Sequence, residues 1–228
     1  MIVDSMSIKE ITKAVLSEKE YVTRCSLRFK ENFKSVVLKT SHFPCIKTYK
    51  CTTPVNKTVY NISIRAEKRG EHSKPTHNIY TLYRRREGIY AVLIENNWTA
   101  VTIFPPHFFE RYRTRILKDE SIPIDSVINV FFSGFFGYCD MWVDNNNVQI
   151  FDKEESDTEE INIVGAFHEG LILGFHQDNY CMAITIVSFE QFKPDQWPQY
   201  NKLYNGFKEL IGEEMWLRYM NSINRDTD

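Results

Sequence analysis

Two hydrophobic periods divide this chain. Ser7 followed by Glu10 has capping-box spacing, and Ile8, Ile11 and Val15 continue at helical period. The pattern predicts helix to about residue 37, with a break near residues 17–20. Leu27, Phe33 and Val37 supply its apolar stripe, and Lys30 and Lys34 line another side. His42-Phe43-Pro44 ends it, because the residue before a proline resists the α conformation. From Val59 the period falls to two. Residues 59–65, 77–85, 89–95 and 98–104 read as strands, with Glu87-Gly88 and Asn96-Asn97 as the tight turns of an antiparallel meander.

Pro105-Pro106 stops the fourth strand and opens a helix to about residue 118. A second short helix, about 125–132, follows Pro123 and precedes Gly134 and Gly137. The second half then returns to β. Residues 139–143 and 148–151 flank Asp144-Asn145-Asn146-Asn147, residues 161–167 and 171–177 flank His168-Glu169-Gly170, and residues 180–187 follow Asp178-Asn179. A last helix, about 200–220, turns Leu203, Phe207, Leu210, Ile211, Met215 and Leu217 toward a core. The expected fold class is α+β: two antiparallel β meanders with N-terminal, central and C-terminal helices packed against them. Two packed β layers or one large curved sheet both fit. Val127, Val130 and the run Phe131 to Phe136 are too apolar for an exposed linker, so residues 1–228 read as one domain. It has a basic lobe over 1–118 and an acidic lobe over 119–228.

Composition narrows the class. The 228 residues are 43% hydrophobic, with 16 Phe and 12 Tyr, which argues against disorder. No run is long and apolar enough to span a membrane, and the first residues lack the pattern of a secretory signal. Five cysteines without a C-x-x-C pair read as free thiols of a reducing cytoplasm. Net charge is −2, yet residues 1–118 carry 22 Lys and Arg against 10 Asp and Glu, a net +12, while the remainder carries 6 against 20, a net −14. A basic surface that meets RNA or another polyanion is one reading, beside an acidic half that shields it or recruits a protein partner. Mutual neutralisation within one fold is the other.

The helix after Pro106 concentrates the candidate chemistry. His107, Arg115 and Lys118 fall within about 40° of Arg111 on a helical wheel, beside an apolar face of Phe108, Phe109, Tyr112 and Ile116. An imidazole beside two guanidinium groups suits phosphoryl chemistry on RNA. His107 transfers the proton, and Arg111 and Arg115 neutralise phosphate charge. Nearby arginines also favour a neutral, base-like His107. The competing reading is a surface helix whose arginines pair with the acidic half. The string TIFPPHFFERYRTRI, residues 102–116, resembles the His/Arg segment of RelE-like toxin ribonucleases and of small bacterial proteins with an H-x-x-x-R-x-x-x-R helix. That resemblance implies RNA cleavage without a metal. This chain is far longer than those toxins, and its acidic half has no counterpart in them.

A second basic stretch spans residues 65–86. Arg65, Arg69, Tyr83, Arg84, Arg85 and Arg86 interleave cations with a ring, as single-stranded nucleic acid requires. A solvated hairpin end explains them equally. His72, His77, His107, His168 and His176 show no metal-ligand spacing, and residues 152–160 lack the glycine of a calcium loop, so neither metal nor cofactor is expected. Two functions follow: a metal-independent ribonuclease acting through His107, or a non-catalytic binding module for nucleic acid or a protein partner.

Overall fold

The computed structural model describes residues 2, 4–95, 98–135, 139–142, 161–194, 196–198, 200–206 and 208–209. Two helices open the chain, α1 (Ile8–Ser17) and α2 (Lys19–Lys39). The capping box forms: the Ser7 amide donates to Glu10 Oε2 at 2.7 Å, and Ser7 Oγ accepts from the Glu10 amide at 3.3 Å. Glu18 sits at the break between the helices. Its buried carboxylate accepts from Tyr60 Oη at 2.7 Å and from Asn56 Nδ2 at 3.0 Å, which pins the corner onto the sheet.

Nine strands make one sheet. In chain order they are β1 (Cys45–Thr52), β2 (Val59–Ala66), β3 (Thr76–Arg85), β4 (Gly88–Ile94), β5 (Val101–Phe104), β6 (Cys139–Trp142), β7 (Ile161–Phe167), β8 (Gly170–Gln177) and β9 (Tyr180–Ser188). Their spatial order is β1-β2-β3-β4-β5-β9-β8-β7-β6. Every pair is antiparallel except β5 and β9, which run parallel where the two strand groups meet. Between β5 and β6 lie α3 (Pro106–Tyr112), a π-helical turn (Arg113–Leu117) and α4 (Ile124–Gly134).

Strand alternation distributes the core. Tyr60, Ile62, Ile64, Ile79, Val92 and Ile103 face α1 and α2, burying Val15, Val22, Phe33 and Val37. Tyr80, Ala91, Phe104, Ile172 and Ile186 face the other way, against Phe108, Phe109, Phe131 and Phe132 of α3 and α4. The rings there meet mostly edge to face, Phe104 against Phe108 with centroids 4.9 Å apart. Each fully buried phenylalanine contributes about 2–3 kcal/mol. Residues from β3 and from β7 share this cluster, so the sheet bends around α3 and α4. A third cluster packs Tyr200 and Leu203 against Val164, Ala166 and Leu173.

The expected α+β class stands, with one sheet rather than two layers. Strand β1 was not foreseen. The helix after Pro106 is shorter than the pattern predicts, since its last turn widens to π and Lys118 adopts a left-handed conformation with φ 54°. The expected strand at 148–151 and the last helix beyond residue 209 lie outside the described residues.

Candidate functional site

Strand β9 outruns its parallel neighbour, and that mismatch governs the His/Arg stripe. β5 pairs with β9 only from Tyr180 to Met182, whereas β9 continues to Ser188. Helix α3 packs along the uncovered length. Gly174 opposes Ala183 while Leu173 opposes Thr185, so Ile184 is the extra residue of a β-bulge. A hydrogen bond joins His107 to the Ile184 backbone, and Arg115 Nη1 donates to the Ile186 carbonyl at 2.6 Å. Lys118 pairs with Glu190 just beyond β9. These side chains therefore stand in for a missing strand, satisfying an edge that would otherwise be left open.

Arg111 lies between them, half-buried. Burial first, and the Arg111 charge second, lower the His107 pKa from its ordinary value and keep the ring neutral; the Ile184 bond works the other way. With one ring nitrogen engaged by the backbone, the other is left as an acceptor. Sequence spacing brought His107, Arg111 and Arg115 to one side of the helix, as expected. His107 and Arg115 meet backbone groups of β9, within the 119–228 length of chain, and it is Lys118 that meets a carboxylate there, Glu190.

The expected nucleic-acid track does not assemble as one patch. Arg65 pairs in register with Thr76, while Arg85 pairs with Gly88 at the opposite end of β3, roughly 30 Å away at the usual strand rise. Arg65 is 6% exposed, ion-paired with Glu67, and its Nη1 donates to the Ser133 carbonyl at 3.2 Å. It serves the interior and does not face a ligand. Arg69 Nη2 donates to the Thr40 carbonyl at 2.9 Å, tying α2 to the 3-10 turn Arg69–Ser73. Tyr83 is buried and stacked on Tyr90, with Arg85 over both rings and also donating to the Met6 carbonyl. Arg69, Arg84 and Arg86 remain exposed, Arg84 at 3.8 Å from Asp125.

Two arrangements escaped the sequence reading. The first is a buried ionisable cluster. The Glu67 amide donates to Glu71 Oε2 at 2.8 Å beside the Arg65–Glu67 pair. His168, in the β7–β8 turn, is pushed to about 4 by burial and by the Arg65 charge. Its Nε2 lies 3.6 Å from Glu169 Oε2, which accepts from Tyr112 Oη at 2.9 Å. Polar residues alternating along residues 61–67 look like a solvent face, so nothing in the sequence marks them as interior.

The second arrangement is a basic groove between α2 and the edge strand β1. Taking Phe29 as the buried direction, Arg24, Arg28, Asn32, Ser35 and Lys39 fall on one flank of α2, about 60–140° around the helix. Phe29 stacks on Tyr49 of β1 with centroids 4.8 Å apart, and the charge of Arg28 on this flank reaches Cys51 of β1, whereas Lys30 on the other flank reaches His77 of β3. Arg28 lies over Phe29 and Lys47 over Tyr49. Among the described residues none of Arg24, Arg28, Lys39 and Lys47 makes an ion pair. Glu20 and Glu31 point outward, away from the sheet. Arg24 and Arg28 at helical spacing were legible, but their partner Lys47 required β1, which was not.

Among the described residues no group of His, Cys, Asp and Glu could hold a metal ion, and no helix is long and apolar enough to cross a membrane. No protein-family model matches the chain, and no curated protein or solved structure is significantly similar to it.

Proposed function

We propose that the protein is a non-catalytic binding module for nucleic acid, held in the groove between α2 and β1. The observation that carries this reading is a flank of α2 bearing Arg24, Arg28 and Lys39 beside the inward-facing Lys47 of the edge strand β1, without a carboxylate partner among the described residues. Four cations without an ion pair among the described residues, gathered on one face, attract a polyanion and release its counterions on binding. Fluorescence anisotropy of labelled RNA and DNA tests it. Binding should tighten at low salt, and the double variant Arg24→Gln/Lys47→Gln should reduce the logarithmic salt slope by roughly 2. Unchanged affinity in that variant assigns binding elsewhere. Burial of the free thiols of Cys25, Cys45, Cys51 and Cys181 supports a reducing cytoplasm as its setting.

A second reading, metal-independent RNA cleavage by His107, Arg111 and Arg115, is favoured by one observation. His107 is held neutral with a backbone partner on one nitrogen, the orientation a general base requires. RNA fragments should then accumulate in EDTA and vanish in His107→Ala, while groove variants lower affinity only. Absence of fragments with the wild-type chain removes this reading and leaves the first.

A further inference from the structure

The interleaving of rings and cations that suggests base stacking is, in the folded chain, already satisfied internally. Phe29 and Tyr49 lie nearly parallel, 11° apart, with Arg28 5.2 Å from the Phe29 centroid and Lys47 Nζ 5.2 Å from the Tyr49 centroid. The four side chains form a closed stack: guanidinium, ring, ring, ammonium. Phe29 is only 9% exposed, and the Tyr49 hydroxyl is buried. The other ring pair near a basic residue, Tyr83 and Tyr90, is closed in the same way by Arg85. A base entering either place would have to displace a cation from the ring it covers.

The cations themselves are not consumed by this stacking. A guanidinium held over a ring by its charge still carries N–H groups that can donate to phosphate oxygens. Arg24 and Arg28 stand one helical turn apart, about 6 Å along α2, so successive charges of a polymer can be met in series. Asn32 and Ser35 on the same flank add uncharged hydrogen-bonding groups.

Resting on the groove assignment above, we propose that the site grips the phosphodiester backbone of nucleic acid and ignores its bases. Base identity, and the presence of a base at all, then has little influence on affinity, and duplex and single strand both bind.

The test compares an abasic deoxyribose-phosphate strand with an oligothymidine of equal length by anisotropy at low salt. The two Kd values are expected to differ by less than about fivefold, since one stacked base is worth about five- to a hundredfold. A preference of fivefold or more for the base-bearing strand overturns the inference while leaving the groove assignment standing. Poly-glutamate of matched charge binding as tightly as the abasic strand also overturns it, in favour of an acidic protein segment. Binding of none of the three overturns the inference and the groove assignment together. Lys47→Gln should weaken both strands by the same factor; weakening of the oligothymidine alone would show that Lys47 holds a base.

Discussion

At the scale of single residues, the informative positions are histidines held neutral by their surroundings. Burial first and Lys30 second push His77 to about 4, and burial with Arg65 does the same to His168. Both rings carry a pKa near 6.5 when unperturbed, so the unfolded chain takes up protons on acidification before the folded chain does. Their contribution to stability is thus complete above pH 6.5, falls as pH drops from about 6.5 to about 4, and is flat below that. The loss is up to roughly 3 kcal/mol for each ring. Urea melts across this window should show the decline, and His77→Gln should make it shallower. An equally steep decline in that variant would place the titration on other groups. The same scale explains why the His/Arg stripe was legible and its role was not. Helical spacing alone aligns His107, Arg111 and Arg115, but the backbone groups that His107 and Arg115 meet depend on where β5 stops, and that depends on tertiary pairing.

At the scale of elements, the bulge at Ile184 decides where α3 docks. Gly174 permits the close approach of β8 to β9 beside it: a Cβ there would lie 1.9 Å from the Met182 carbonyl oxygen. Gly174→Ala must move the β8–β9 backbone, and should cost at least about 2–3 kcal/mol and loosen the contact between His107 and Ile184. Thermal melts with imidazole NMR shifts would read both effects; a stable variant with an unshifted His107 would dissociate the bulge from the helix. Most strands were readable from period-two alternation, and the corner at Glu18 from the pause in helical period. β1 was not. Its inward positions Cys45, Lys47, Tyr49 and Cys51 include a lysine, and its outward positions are mostly polar, so no apolar alternation marks it. An edge strand has less to bury, and its sequence says correspondingly little. The basic groove was missed with it, because one wall of that groove is β1.

At the scale of the molecule, the parallel contact of β5 with β9 joins the basic and acidic lengths of chain into one hydrogen-bonded sheet. The two lobes expected from charge are therefore not separated by an open boundary in the sheet. A fragment ending at Lys118 would expose the free edge of β5 and the phenylalanines of α3 that pack on α4, β8 and β9. It should express as aggregated or molten material, judged by near-ultraviolet circular dichroism and gel filtration. A fragment with native-like tertiary signal would show that the first lobe folds alone. The charge changes sign along the chain near residue 118, while the sheet runs on across that point.

β1 also has a second aspect, its free edge. Lys47 and Lys50 stand on a strand whose outer hydrogen-bonding groups have no neighbouring strand among the described residues. Like charges there keep copies of the chain from adding strand to strand. A polyanion seated in the groove neutralises that guard. Saturation with short polyphosphate at low salt should therefore raise light scattering and, on release at high salt, let it fall again. Colloidal stability of the protein becomes a property of its ligand occupancy.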